Sequence, residues 1–164
     1  MKFITKNLLL AILSLSLVSC GYTLRGKLNL PDDVKNIAII TEAYSPISSE
    51  INLLLTNIGI ETTNRKLTDT YQIEILSEIH NKRQLSINQE GRVNEYELVF
   101  TTRFKINTPI EDGQDDSVVL YRDYLFDESR ILGTTDREDE IKKEMISTAA
   151  SIIVNKLKAK IESM

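Results

Sequence analysis

The sequence predicts an α+β fold, a two-layer sandwich in which one mostly antiparallel sheet of about four strands carries two helices on one face. Three observations support this. After residue 70, apolar and polar residues alternate over long stretches, as they do in half-buried strands. One early and one C-terminal segment repeat apolar residues at helical spacing. An antiparallel sheet with one solvent-exposed face must pack its other, apolar face against something, and the two apolar helix faces can pack there.

Length and composition favour one globular domain and exclude some classes of function. The chain has 164 residues, of which 41% are hydrophobic and 27% are charged. Its 20 Lys and Arg residues are scattered among 24 Asp and Glu residues. Because a nucleic-acid-binding protein needs a basic patch, we expect no nucleic-acid partner.

The first 19 residues are typical of a bacterial secretory signal. A positive start (MKFITK) precedes a short apolar run over residues 8–18, which is too short to span a bilayer comfortably. Removal of this signal takes away Lys2 and Lys6 and moves the formal charge from −4 to −6. The mature protein is therefore expected to be more acidic than the full chain.

Cys20 is the only cysteine, and its position carries information. Residues 17–20 (LVSC) resemble the bacterial lipobox, whose cysteine is lipidated and becomes the first residue of the mature chain. The alternative is an unmodified cysteine in a loop after a cleaved signal. Gly21 rather than Asp follows, which favours sorting to the outer membrane of a Gram-negative bacterium. The expected domains are a lipoprotein signal peptide (1–19), a lipidated anchor and linker (20–33) and a single domain (34–164).

The domain is predicted to begin with a strand and a helix. Residues 34–41 (VKNIAIIT) form a short, largely buried strand. Ser45 is a suitable N-cap, Pro46 suits the first helical position, and Gly59 ends the helix. The apolar face of this helix consists of Ile47, Ile51, Leu54, Leu55 and Ile58.

Three longer strands with alternating residues follow, separated by turns at 88–92 (NQEGR) and 111–116 (EDGQDD). In the first, one side carries Tyr71, Ile73, Ile75 and Ile79, and the other carries Gln72, Glu74, Glu78 and His80. In the second, one side carries Tyr96, Leu98, Phe100, Phe104 and Ile106, and the other carries Glu95, Glu97, Thr101, Arg103 and Lys105. In the third, Val119, Tyr121 and Leu125 oppose Val118, Leu120 and Tyr124, and the buried side is left open.

A long helix is predicted at the C-terminal end. Thr135 and Glu138 have the spacing of a capping box, which predicts that the helix begins there. Its apolar face consists of Ile141, Met145, Ala149, Ile152, Leu157 and Ile161.

Residues suited to catalysis or metal binding are few. The single histidine, His80, is expected to be a solvated strand residue. Asp112, Asp115 and Asp116 lie in a Gly-containing loop that lacks the spacing of an EF-hand, so a hairpin turn explains them better. An envelope hydrolase would need a nucleophile beside a base, and no such pairing is visible. We expect no enzymatic activity, no cofactor and no metal.

Several short motifs together resemble one family. Residues 20–26 (CGYTLRG) resemble the start of the mature LptE (RlpB) lipopolysaccharide-assembly lipoproteins of the outer membrane. The similarity continues at 91–98 (GRVNEYEL), 126–127 (FD) and 143–145 (KEM), and the order of elements agrees. The resemblance implies a non-enzymatic subunit inside the large β-barrel of the lipopolysaccharide translocon, LptD. There it would support barrel assembly and help deliver lipopolysaccharide to the cell surface.

The resemblance also implies a lipopolysaccharide site. Family members are thought to bind through basic residues in the turn before the Glu-Tyr strand and in the loop before the last helix. Here Gln89 and Thr135 stand at the aligned positions, while Arg92 and Arg137 lie close by. These two arginines are the candidate lipopolysaccharide-binding residues, since guanidinium groups donate forked hydrogen bonds to phosphates.

The sequence leaves two questions about partners undecided. The polar side of the second long strand suits contact with the polar interior of a large barrel, and it equally suits an ordinary solvated sheet face. A different class of function is a free-standing outer-membrane lipoprotein that binds or carries an amphiphile. Such a carrier would need an apolar cavity.

Overall fold

The computed structural model describes residues 30–31, 34–67, 69–127 and 131–163. The predicted signal peptide, Cys20 and most of the linker lie outside the described residues. The strands are β1 (Asn36–Thr41), β2 (Glu61–Thr63), β3 (Tyr71–Ile87), β4 (Val93–Asn107) and β5 (Asp116–Leu125). The helices are α1 (Pro46–Asn57) and α2 (Ile131–Glu162).

The strands form one sheet in the order β2-β1-β3-β4-β5. The long strands β3, β4 and β5 pair antiparallel, whereas β1 lies parallel to both of its neighbours. The predicted α+β sandwich is therefore confirmed, with the correction that the sheet is mixed and has five strands. β2 escaped prediction because it has three residues (ETT) without apolar alternation, and only its pairing with β1 makes it a strand.

α1 begins and ends as its sequence predicts. The Ser45 side chain accepts a hydrogen bond from the Ser48 N–H at 2.9 Å, and Pro46 is the first helical residue. The inward side chains are fully buried: Ile47, Ile51 and Leu55. After the helix, Gly59 adopts a positive φ of 84°, a conformation that favours glycine.

α2 begins earlier than its sequence predicts. The helix starts at Ile131, so Thr135 lies inside it and the predicted capping box is wrong. Residues 133–140 (GTTDREDE) contain no apolar side chain, which is why hydrophobic periodicity did not reveal this part of the helix. In the described part of the chain, α1 and α2 both lack an apolar run long enough to cross a bilayer.

The core lies between the helices and the inner face of the sheet. Phe100 and Phe104 of β4 are fully buried there with apolar residues of α2. The predicted alternation of β4 is confirmed. In β5, Tyr124 faces the core whereas Tyr121 is exposed, which decides the side that the sequence left open. The inward residues of α2 are Thr134, Ile141, Met145, Ala149, Ala150, Ile153, Val154, Leu157 and Ile161.

A β-bulge at Leu76 reverses the alternation of β3. Ile75 pairs with Phe104, and after the irregularity His80 pairs with Phe100. Both phenylalanines are buried on the inner face of the sheet. Since directly paired residues share a face, Ile75 and His80 lie on the same side although their numbers differ by five.

The sides predicted for the second half of β3 are therefore wrong. Glu78 and His80 lie on the side of the helices, opposite Gln72 and Glu74, and Ile79 is 48% exposed on the outer face. One extra residue in a strand moves every later side chain to the other face. The Glu78 carboxylate consequently reaches the start of α1 and accepts from the Ile47 N–H at 3.3 Å.

Candidate functional site

Arg92 is held in a well-defined turn between β3 and β4. The Asn88 carboxamide oxygen accepts from the N–H groups of Glu90 (3.0 Å) and Arg92 (2.9 Å), and the Asn88 N–H donates to the Arg92 carbonyl (2.8 Å). Gly91 has a φ of 77°, which strains any residue with a side chain. The Arg92 guanidinium lies 3.8 Å from the Glu90 carboxylate.

Arg137 lies on α2 rather than in a loop. Its guanidinium donates to the Glu140 carboxylate at 2.6 Å, one helical turn further on. Both side chains are more than half exposed, so this pair contributes little to stability and leaves the guanidinium accessible.

The structure brings the two arginines to one end of the molecule. We call this end the tip: the turn 88–92, the end of β5 with Phe126, and the first turns of α2. Arg92 lines a surface depression of about 500 Å³ with Phe126, and Arg137 lines a neighbouring depression of about 400 Å³ with Tyr124. Leu125, 70% exposed, lines both depressions. They converge because β4 starts and β5 ends at the same end of the antiparallel sheet.

Aromatic rings lie at the tip beneath these depressions. Tyr96 packs edge-on against Phe126 with ring centres 5.2 Å apart, and its ring centre lies 6.0 Å from that of Tyr124. The Lys82 ammonium lies 4.1 Å from the Tyr96 ring centre, within cation–π distance. The group comes from three strands and the residue after β5, so no local sequence signal could have identified it.

Glu138 connects this aromatic group to α2. Its carboxylate accepts from the Lys82 ammonium and the Tyr124 hydroxyl, each at 2.6 Å, and pairs with Lys142 at 2.7 Å. Burial alone would raise the pKa of Glu138, but hydrogen bonds from Lys142, Lys82 and Tyr124 outweigh burial and lower the pKa to about 2. We call Lys82, Tyr124 and Glu138 the clamp. The sequence had suggested only a capping role for Glu138.

His80 lies on the side of the helices but is exposed. Its ring packs against that of Phe100 with centres 4.4 Å apart, and partial burial lowers its pKa, which favours the neutral imidazole. The structure thus gives His80 a packing contact in addition to its contact with solvent.

Two acidic residues where the connection from β4 enters β5 form ion pairs. Asp115 pairs with Arg103 and Lys105, and Asp116 pairs with Lys156 at 2.6 Å. No cluster of three or more potential metal ligands occurs within the described ranges. The predicted connection between the two strands is confirmed. Its Gly113 approaches the backbone so closely that a Cβ would clash with the Ile106 carbonyl oxygen.

The outer face of β3, β4 and β5 lies opposite both helices. We call this surface the open face. The outward residues of β4 on it are Glu95, Glu97, Thr101, Arg103 and Lys105, as predicted. Across Thr101 the register aligns Ile79 with Val119, and Tyr121 follows on the same side. The open face therefore combines paired charges with a short apolar band.

Comparisons with known proteins agree with this architecture. The LptE family model, described as lipopolysaccharide-assembly, matches residues 33–157. The LPS-assembly lipoprotein LptE of Pectobacterium atrosepticum is 26% identical over 154 residues, which cover 92% of this chain and 83% of that protein. The protein with the same description in Yersinia enterocolitica is 27% identical over 154 residues, with coverage of 92% and 73%.

Solved structures with the same fold include two lipoproteins. The rare lipoprotein B of Shewanella oneidensis superposes with a TM-score of 0.71 at 20% identity, covering 77% of this chain and 96% of that one. Lipoprotein B of Nitrosomonas europaea gives 0.70 at 24% identity, with coverage of 87% and 93%. The family model spans most of the chain, and the five-stranded sheet with two helices matches these lipoproteins. The chain belongs to the LptE lipopolysaccharide-assembly family.

Proposed function

We propose that the protein is an outer-membrane lipoprotein subunit of the lipopolysaccharide translocon in a Gram-negative bacterium. It resides in the LptD β-barrel, supports assembly of that barrel and helps deliver lipopolysaccharide to the cell surface. Residues 1–19 are removed, the lipidated Cys20 anchors the chain, residues 20–33 tether it, and residues 34–164 form the domain. The subunit acts by binding rather than by catalysis. Membership of a lipopolysaccharide-assembly family supports this role.

The observation that carries the proposal is the convergence of Arg92 and Arg137 around Leu125 at the tip. Lipopolysaccharide carries phosphates and acidic sugars beside hydrocarbon chains. Two guanidinium groups supply forked donors for phosphate, and an exposed leucine between them supplies apolar contact. Because these groups line adjacent depressions, one ligand can contact all three.

The open face has the properties that contact with a barrel interior requires. The interiors of large outer-membrane barrels are polar, so a subunit inside one needs a mainly polar surface with charges already paired. On the open face, Glu97 accepts a hydrogen bond from Arg83, and Arg103 pairs with Asp115. The apolar band around Val119 offers the kind of contact that lies at the centre of protein interfaces.

The lipopolysaccharide part is tested by charge reversal at the tip. Full-length protein with Arg92→Asp and Arg137→Asp should bind purified lipopolysaccharide at least tenfold more weakly, because two charge-assisted contacts are replaced by repulsion. The matched control is Arg65→Asp with Lys66→Asp, which changes the net charge equally at two exposed basic residues beyond β2, the strand at the opposite edge of the sheet from β5. Unchanged binding in the tip variant, or an equal loss in both, would overturn the assignment.

The partner is tested by affinity purification of the tagged full-length protein from detergent-solubilised outer membranes. One large β-barrel retained for each tagged protein would support the proposal that the protein is a translocon subunit. A monomer that carries only lipid would instead support the free-standing amphiphile carrier.

A further inference from the structure

The part of α2 that carries Arg137, residues 133–140, lies against the sheet without an apolar residue of its own. Residues 133–140 contain no apolar side chain, and the first apolar anchor that follows is the buried Ile141. Helices in proteins are held mainly by an apolar face, so this segment needs another source of attachment. Of its residues, Thr134 and Glu138 are turned inward, and the others are exposed or half-exposed.

Glu138 supplies a contact of the required kind. Its carboxylate bonds to Lys82 of β3 and to Tyr124 of β5, so it connects one helical turn to two strands. The Glu138 side chain is only 16% exposed, whereas the neighbouring pair of Arg137 and Glu140 is more than half exposed. Of the two partners of Glu138 on the sheet, Tyr124 is buried and Lys82 is 36% exposed, so the carboxylate is shielded from water mainly on the Tyr124 side. Charge-assisted hydrogen bonds that are partly shielded are stronger and less screened by salt than fully exposed pairs.

The same contacts connect α2, which carries Arg137, to β3, which leads to the turn with Arg92. Arg137 directly precedes Glu138 on α2, so the helical geometry sets its position once Glu138 is docked. Lys82 lies on β3, and this strand leads directly into the turn that carries Arg92. The clamp therefore joins the helical turn that carries Arg137 to the strand that leads to Arg92.

We propose that Glu138, through Lys82 and Tyr124, is a positioning residue that docks the first turns of α2 and thereby sets the spacing of Arg137 from Arg92 for one lipopolysaccharide. This inference rests on the proposed lipopolysaccharide contact. Binding at two points requires both groups to be in place at once. If the docked state is only partly populated, the apparent affinity falls by the same fraction.

The test uses a substitution for which simple electrostatics predicts stronger lipopolysaccharide binding and the positioning role predicts weaker binding. Glu138→Gln removes a negative charge close to a site for an anion, which by Coulomb attraction alone should strengthen binding. We expect instead that the apparent affinity of the full-length protein for purified lipopolysaccharide falls about five- to tenfold as the docked fraction falls. Tyr124→Phe, which removes one hydroxyl and keeps the ring, should give a fall of about two- to threefold for the same reason.

Asp139→Asn is the matched control. It neutralises the adjacent carboxylate of the same helix, whose side chain is 61% exposed and lies 3.7 Å from Lys142. It makes the same change in net charge without touching the clamp, so affinity should stay equal or rise. If Glu138→Gln binds as tightly as the unaltered protein while the Arg92 and Arg137 double variant loses binding, the positioning role is overturned and the lipopolysaccharide site is retained. If the double variant itself binds normally, both the lipopolysaccharide site and the positioning role are overturned.

A distance measurement separates positioning from general stability. Spin labels on Gln89→Cys and Asp136→Cys, both exposed positions, report the separation of the turn and α2. Glu138→Gln should broaden this distance distribution well below the unfolding temperature, and Asp139→Asn should not. An unchanged distribution in Glu138→Gln would contradict the inference even if its affinity fell.

Discussion

Lys82 and Glu138 are 56 residues apart in sequence, yet their side chains meet at 2.6 Å between the sheet and α2. Lys82 also lies over the Tyr96 ring, so one ammonium group joins β3, β4 and the last helix. The contact matters because it joins the helix that carries Arg137 to the strand that leads to Arg92, the two arginines that we assign to lipopolysaccharide. Its properties lead to the first prediction.

The free energy of unfolding should fall at acidic pH because the Glu138 carboxylate becomes protonated. Its folded-state pKa of about 2 lies below the ordinary value of 4.5, so its contribution is complete above about pH 4.5 and is lost as pH falls towards 2. Between these limits the unaltered protein should lose about 2–3 kcal/mol of unfolding free energy that Glu138→Gln does not lose. Urea unfolding at several pH values measures the difference. If Asp139→Asn flattens the profile equally, the attribution to Glu138 is wrong.

The bulge at Leu76 predicts unequal tolerance on either side of it. Ile75→Lys places a charge at a site that is 5% exposed and should cost more than about 3 kcal/mol of unfolding free energy. Ile79→Lys lies on the outer face and should cost less than about 1 kcal/mol, although plain alternation would place both residues on one side. Thermal or urea unfolding compares them. Equal costs would contradict the reversed register.

Phe100 should be central to the core. It is fully buried, so Phe100→Ala leaves a cavity and should lower the free energy of unfolding by about 3–5 kcal/mol. Tyr121→Ala, an aromatic truncation at an exposed position on the adjacent strand, should cost about 1 kcal/mol or less. Calorimetry or urea unfolding gives both values. A small loss for Phe100→Ala would show that the helix layer does not pack on β4 as described.

The open face should be sensitive to charge only in the complex. Tyr121→Glu adds a carboxylate on this face, and Leu53→Glu adds one at a similarly exposed position on α1. Both variants should fold, since both side chains are about half exposed in the unaltered protein. We expect Tyr121→Glu to reduce the barrel recovered with the tagged protein by about tenfold, through an unpaired charge in the interface. Equal recovery for the two variants would place the barrel contact elsewhere.

Cys20 should determine where the protein resides. Cys20→Ala removes the acceptor for lipid, and stable anchoring requires more than one acyl chain, each buried methylene contributing about 0.8 kcal/mol. The variant should lose incorporation of a labelled fatty acid and should be depleted from the outer-membrane fraction. Ser19→Ala keeps a small residue before the cysteine and serves as the control. Fatty-acid labelling that persists in Cys20→Ala would overturn the lipidation assignment.

Elements with a local cause were predictable from the sequence. α1 has its cap at Ser45, its first-turn Pro46 and its apolar spacing within fourteen consecutive residues, and the structure reproduces all three. β4 alternates as predicted from Glu95 onward, where its pairing with β5 runs without a register shift. Such features depend on backbone preference and on the need to bury one side, both of which can be read from neighbouring residues.

Tertiary structure decided the features that depend on distant partners. β2 is a strand only because β1 pairs with it, and the faces of β3 after Leu76 follow the register of β4 rather than the numbering of β3. Residues 133–140 of α2 carry no apolar signal, and Glu138 attaches them to strands far away in sequence.

The candidate site divides in the same way. The sequence, with its resemblance to a lipoprotein family, nominates Cys20, Arg92 and Arg137 as candidates, because each lies in or beside a short motif. It could not reveal that both arginines line depressions with Leu125, or that Glu138 bonds to Lys82 on the strand that leads to Arg92. Short motifs are local, whereas the spacing between them is set by strand register and by the docking of a helix on the sheet.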